Sequence, residues 1–596
     1  MTFTTRPTLT GTFGMVSSTH WLASQSAQRM LELGGNAFDA AVAGGFVLHV
    51  VEPHLNGPGG DLPAIVATAA DPVPRVLCGQ GPAPAGATRD AFLQMGLDHV
   101  PGSGPLAAAV PGAVDAWLLL LRDHGTLPLA QVLEPAIGYA RHGHPLLPRV
   151  AATIERVQEL FESDWTTSAE VWLPGGRPPR PGELFANPAY ATTLERLVAA
   201  GRGSTTVAEQ AEAARRAWRE GFVAEAVDAF RPREWRHSGG QVLPGLVTGD
   251  DLAAYSATWE PPAVADWHGV QVAKTGLWGQ GPSLLQVLAT LDQLGPAALD
   301  PDTTEGVHAI TEAWKLVMAD REAWYGDASP LSVNDLLDPA YVRERADLVG
   351  EDADLGFRPG SPGGREPRLS EHVRRLLAGQ ATSRTTDATT GEPTVDRDGT
   401  TRGDTCHLDV VDRWGNMVSA TPSGGWLQSS PTIPGLGFCL GSRAQMFWLD
   451  EGLPASLSPG LRPRTTLSPT LVLRDGAPIL ACGSPGGDQQ DQWQTLFLLR
   501  HVLGGASLQE AIDAPMFHHD HFPGSFHPRG MERGVIQLED RYPDALVDEL
   551  TRRRHVVRRV DPWSLGRLCA VAREPRTGLL SAGANPRGMQ GYAVGR

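Results

Sequence analysis

The run Gly403-Asp404-Thr405-Cys406-His407-Leu408-Asp409-Val410-Val411-Asp412 is where a polar stretch turns abruptly into an apolar, β-branched one that opens with a hydroxyl residue. A threonine hydroxyl is a weak nucleophile at neutral pH and needs a base. If the peptide bond before Thr405 is cut, its own α-amine, with an unperturbed pKa of about 7.7–8, becomes that base. Nucleophile and base then sit on one residue, and the chemistry is acyl transfer from an amide. The plainer reading of the same residues is an ordinary strand entered from a loop. Two rival chemistries are weaker. His518-His519-Asp520-His521, with His527 nearby, invites a metal reading, since imidazoles and a carboxylate could converge. A Gly-x-Ser-x-Gly elbow before a helix, the mark of many serine hydrolases, is not found.

A nucleophile at that junction must be held by a rigid strand and preceded by a segment free to be cut. The residues before it, Arg358 to Asp404, are dense in Gly, Pro, Ser, Thr, Asp and Arg, with helical character only over Val373 to Leu377; an exposed, mobile linker is expected. After it, His407–Val411, Met417–Ala420, Thr470–Leu473 and Ile479–Ala481 have strand character, as do Ala64–Ala67 and Val270–Lys274 earlier in the chain. Asp412-Arg-Trp-Gly415-Asn416 forms a turn, which predicts an antiparallel meander rather than repeated βαβ units. Helical spacing predicts a tight pair over 22–50 around Gly34-Gly35-Asn36, then helices over 113–124, 129–142, 190–200, 207–229, 283–294 and 304–325.

The 596 residues are enough for a large core or several domains, and 41% hydrophobic with 20% charged residues is ordinary globular usage. A net charge of −17 argues against a nucleic-acid partner, and the short basic run Arg552–Arg559 has the character of a solvated face. Only Lys274 and Lys315 are lysines; nearly all positive charge is arginine. Cys78, Cys406, Cys439, Cys482 and Cys569 are odd in number and widely spaced, so free thiols are expected. With no signal-peptide pattern at the start and no run of about 18 apolar residues, a soluble cytoplasmic protein without a membrane partner is expected.

The chain resembles the gamma-glutamyltransferase family over nearly its whole length. Eight motifs occur in that family's order: Gly14-Met-Val-Ser-Ser-Thr-His20, Gly34-Gly-Asn-Ala-Phe-Asp-Ala-Ala41, Val51-Glu-Pro-His54 with Gly57-Pro-Gly-Gly60, Val110-Pro-Gly112, Pro135-Ala-Ile137, Asp404-Thr-Cys-His407, Ser468-Pro-Thr470 and Gly483-Ser-Pro-Gly-Gly487. The resemblance implies an α+β Ntn-hydrolase fold, an αββα sandwich with extra helices from the N-terminal part. It also implies a precursor that cleaves itself between Asp404 and Thr405. The products would be a large chain, 1–404, ending in the 358–404 linker, and a small chain, 405–596, held in one globular unit. No cofactor and no metal are implied; the partners are a small-molecule amide and the two chains themselves, and a homo-oligomer stays open.

By the same resemblance Thr405 is the nucleophile, Gly486 and Gly487 aim N–H groups at the oxyanion, and Ser423 supports the nucleophile's hydroxyl. Thr465 and Thr466 stand where the family has a serine pair; all three hydroxyls could equally be structural. Cys406 replaces the second threonine of the family's Thr-Thr-His.

The specificity groups depart from the family. Gln80 lies in Gly79-Gln-Gly-Pro-Ala-Pro84, where the family's carboxylate-binding arginine is expected; Met446 replaces its amine-binding aspartate, and Gly425 a pocket asparagine. Arg443 either faces the pocket and takes an acidic acyl group or is a surface arginine. The pattern, including Asp61 after Gly57-Pro-Gly-Gly60, resembles the non-glutathione branch, similar to oxamate amidohydrolases and cephalosporin acylase-type members. The implied function is hydrolysis or transfer at a non-gamma-glutamyl amide through a Thr405 acyl-enzyme. The alternatives are a true gamma-glutamyl enzyme acting on glutathione-like substrates and a non-catalytic binding protein on the same fold.

Overall fold

In a computed structural model, which describes residues 3–380 and 405–596, the strand Leu408–Asp412 lies at the heart of a seven-stranded antiparallel sheet. The strand order there is 592–595, 14–18, 408–412, 417–420, 62–67, 75–79, 258–260. A second seven-stranded antiparallel sheet runs 9–11, 580–584, 569–573, 477–483, 470–474, 270–274, 263–267.

Side chains alternate across each strand, and the alternation builds the layers. Met15, Ile65, Val76, Met417, Leu471, Ala481 and Val571 turn inward and fill the space between the sheets. Val16, Ala64, Leu408, Val410 and Val418 turn the other way, onto the helices Trp21–Glu32, Ala37–Val51 and Ala113–His124. Val270, Val272, Val472 and Leu480 meet Pro282–Leu294, Thr304–Trp324 and Gln490–Leu498 on the far side. The result is the expected four-layer αββα Ntn-hydrolase sandwich.

Most expected elements are present within two residues of their bounds. The pair over 22–50 is two helices, the second started by an Asn36–Asp39 capping box that also takes N–H groups from Thr126 and Leu127 onto Asp39. The helix expected over 207–229 is broken at Gly221 into Val207–Arg219 and Phe222–Phe230, because Gly221 leaves helical geometry and packs where a Cβ would sit 2.8 Å from the Ala217 carbonyl oxygen. A single βαβ unit stands beside the antiparallel sheets: strands 535–539 and 556–560 are parallel across helix Asp544–Arg552.

The linker expectation needs correction over 358–380. Gly360 N–H donates to Asp320, and Ser370 caps helix Glu371–Leu377, whose Val373 is buried in a cluster with Trp448, Leu453 and Ala455, with Leu377 packed against it. Apolar side chains at helical spacing found a core that composition alone did not suggest. Asp404 and the rest of the expected linker lie outside the described residues.

The five thiols are buried and unpaired. Arg553, Arg558 and Arg559 of the basic run form ion pairs with Glu305, Glu532 and Asp540. Among the described residues no helix is long and apolar enough to cross a membrane.

Candidate active site

Thr405 stands one step above Leu408–Asp412 and pairs as an isolated antiparallel bridge with Ser423, which bridges Asp61 in the same way. Extending the Leu62↔Gly79 register by one residue sets Gln80 opposite Asp61. Directly opposed residues of antiparallel strands project to the same face. Thr405, Ser423, Asp61 and Gln80 therefore form one row across four adjacent strands at one end of the sheet.

The row is buried, each residue no more than 3% exposed. Thr405 Oγ1 lies 3.3 Å from Ser423 Oγ, and Gln490 Nε2 approaches it to 3.4 Å. The glycines around it are required by backbone stacking. A Cβ on Gly60 would sit 2.1 Å from the Ser423 carbonyl oxygen, and one on Gly425, at φ +62°, would sit 2.7 Å from the Gly60 nitrogen. The asparagine expected at 425 has no room here.

Cys406 faces away from this row. Its Sγ donates to Glu52 (3.0 Å) and accepts from Asn56 Nδ2 (3.1 Å), while Glu52 also takes Thr19 Oγ1 and Gln590 Nε2. Burial, reinforced by the Glu52 carboxylate, pushes the thiol's pKa well above its ordinary value, so it is poorly suited to act as a thiolate nucleophile. His407 projects to the same face as Thr405 and is fixed by Asp409 and Thr421 at 2.9 and 3.0 Å. It is a structural histidine beneath the site.

Strand 477–483 of the opposite sheet delivers the second half. Gly486 (φ +130°) and Gly487 (φ +55°) turn the chain into helix Gln490–Leu498, and neither N–H has a protein acceptor among the described residues. A Cβ on Gly486 would lie 2.1 Å from Trp493 Cζ3. Two unpaired N–H groups on a turn whose helix begins by touching Thr405 are what an oxyanion hole requires.

Sequence reasoning missed Gln490. Its place directly after Gly483-Ser-Pro-Gly-Gly487-Asp-Gln, in the first turn of a helix, was the available signal.

Arg443 is buried, which excludes the surface reading. It lies in the 3₁₀ turn Arg443–Met446 and forms an ion pair with Asp61. Its Nη1 faces Met446 Sδ at 3.8 Å. Burial raises the Asp61 pKa, and Arg443 opposes that shift. Gln80 is 1% exposed with no partner for either amide atom among the described residues. Thr465 is held by backbone pairing to Trp278 and accepts from Leu467 N–H, whereas the buried Thr466 hydroxyl has no partner among the described residues.

In both histidine clusters some of the ring nitrogens are engaged by neighbouring groups. His519 Nδ1 and His521 Nδ1 accept backbone N–H groups, from His521 and Gly534. His308, Glu312 and His555 offer ligand atoms within 4.8 Å of one another. His308 is bonded to His555 at 2.8 Å, however, and Glu312 to Lys315 at 2.5 Å. His555 Nδ1 has no partner among the described residues.

Compared with known proteins, residues 23–595 match the family model described as gamma-glutamyltranspeptidase. The chain belongs to the gamma-glutamyltranspeptidase family. Among this family's members it is 31% identical over 603 residues to the oxamate amidohydrolase proenzyme of Klebsiella pneumoniae, covering 98% of each chain. It is 30% identical over 591 residues to the glutathione hydrolase-like YwrD proenzyme of Bacillus subtilis, covering 98% of this chain and 99% of that one. The solved structure of LmbA2991T421A superposes with a TM-score of 0.95 at 59% identity, covering all of both chains.

Proposed function

We propose that this gamma-glutamyltranspeptidase-family protein is a self-processing amidohydrolase whose Thr405 forms the acyl-enzyme and whose acyl group is not gamma-glutamyl. The Thr405 hydroxyl first attacks the Asp404 carbonyl, and water hydrolyses the resulting ester to free the threonine amine. In turnover that amine takes the hydroxyl proton as Oγ1 attacks the substrate amide. The oxyanion forms against the Gly486 and Gly487 N–H groups, and the leaving amine departs with the proton held by the α-ammonium. Water, or an amine in transfer, then releases the acyl group. Ser423 and Gln490 fix the rotamer of the attacking hydroxyl.

The observation that carries the substrate reading is the Asp61–Arg443 pair. A glutamyl head needs a cation for its carboxylate and an anion for its amine, but the charges of this row are spent on each other, and Met446 and Gln80 add none. Losing two charge-assisted contacts, at about 1.5–3 kcal/mol each, costs roughly 10²- to 10⁴-fold. The related Klebsiella protein's name, oxamate amidohydrolase, supports this reading.

Two measurements test the proposal. Intact mass should show two chains divided between Asp404 and Thr405, with Thr405→Ala uncut and inactive. The kcat/KM for a gamma-glutamyl anilide should then fall below that for the best of a panel of small amides that includes oxamate and dicarboxylic monoamides. A glutamyl anilide that heads the panel overturns the substrate reading; a fully active uncut chain overturns the mechanism.

A further inference from the structure

The chain uses lysine twice against 48 arginines, and both lysines are buried. Lys274 ends strand Val270–Lys274 and is wholly buried against helix Gln490–Leu498. Its Nζ lies 3.0 Å from Asp491 Oδ1, 2.7 Å from Thr470 Oγ1 and 3.3 Å from the Ser468 carbonyl oxygen. The Ser468 hydroxyl donates to the same Asp491 oxygen at 2.6 Å. Gln280 Nε2 bridges Asp491 Oδ2 and the Asp488 carbonyl oxygen, each at 3.0 Å. The Asp488 carboxylate is held in turn by Arg321 and by the Ser525 N–H and hydroxyl.

The bonds to Asp491 and Asp488 converge on the five residues that follow the Gly486-Gly487 turn, and one of those five is Gln490, which reaches Thr405. We infer that Lys274 is a positioning residue: through Asp491 it fixes the first turn of this helix, so that the Gly486 and Gly487 N–H groups and Gln490 are aimed at Thr405 before any substrate arrives. An ion pair at this depth contributes little net stability, because the desolvation of both charges offsets their attraction. Its use is geometric. The lysine stem runs along Gly281, where a Cβ would already sit 3.0 Å from Lys274 Cβ and 3.1 Å from its Cε. A glycine at 281 thus leaves the lysine stem its path along the helix start. The inference rests on the Thr405 reading above and adds to it the means by which the oxyanion donors are preorganised.

The test uses full-length Lys274→Met, the double variant Lys274→Met/Asp491→Leu, and Lys315→Met as a control in the distant Glu312 network. Self-cleavage, kcat, KM and Tm are read for each. The single variant should cleave itself and turn over about 10- to 100-fold more slowly with KM within about 2-fold. The double variant, with no orphaned charge, should regain most of the lost Tm but not kcat. Lys315→Met should lower Tm and leave kcat unchanged. If kcat returns together with Tm in the double variant, or never falls in the single one, Lys274 serves stability alone and the inference is overturned. If the unaltered protein itself neither cleaves nor turns over, it is the Thr405 reading that has failed.

Discussion

Arg443 and Asp61 meet side by side, Nε 2.9 Å from Oδ2 and Nη2 3.1 Å from Oδ1, and Asp61 is backbone-paired to Ser423, the strand neighbour of Thr405. A charge pair 382 residues apart in sequence thus lies two strands from the nucleophile.

Arg443→Ala should therefore cost stability as well as activity. It leaves a buried carboxylate without its partner, a loss of about 3–5 kcal/mol. The carboxylate's folded-state pKa, already raised by burial, rises further without the arginine. A raised carboxylate pKa favours the folded state only at low pH, and that favour is lost as pH climbs past the unfolded value. The Tm deficit against the parent should be larger at pH 8 than at pH 5, and Arg443→Met/Asp61→Leu should recover most of it. A deficit that does not vary with pH would place Asp61 elsewhere.

Gly486→Ala should lower kcat by about 10²- to 10³-fold, the usual cost of a lost oxyanion donor. The new methyl would overlap Trp493 at a backbone φ of +130° and push the turn away from Thr405. Steady-state kinetics on processed enzyme decide this, with KM expected to change little.

Gln80→Leu should behave oppositely to most buried substitutions. Removing an unpartnered buried amide relieves about 1–3 kcal/mol of desolvation cost, so Tm should hold or rise. If Gln80 completes its hydrogen bonds only with the acyl group, KM should rise several-fold at the same time. A fall in Tm with unchanged KM would assign it a structural role.

Acid should destabilise the protein through its buried imidazoles. Burial pushes the His49 pKa down to about 3, and that of His521 likewise to about 3. Such groups stay neutral in the fold but take up protons once unfolded below about pH 6.5. Their contribution is therefore complete above that value and is lost as pH falls from 6.5 towards 3. Thermal melts should show Tm flat from pH 7 to 8 and falling below 6.5. His49→Phe should flatten the slope by up to one proton, about 1.4 kcal/mol per pH unit.

What local chemistry encodes was legible from the sequence: the capped helix pair around Asn36, the turn at Gly415, the strand that begins after Thr405, and the Gly486-Gly487 turn, since periodicity and glycine each act over a few residues. Composition misled over 358–380, where Val373, with Leu369 and Leu377 beside it, pins a polar segment to Trp448. Tertiary structure alone decided the contacts that aim the chemistry. That strand 14–18 borders 408–412, that Asp61 neutralises Arg443, that Gln490 reaches Thr405, and that Cys406 turns its back on the site all depend on pairings hundreds of residues apart. Spacing carries no record of such pairings, because they are fixed by which faces of two sheets can be buried together.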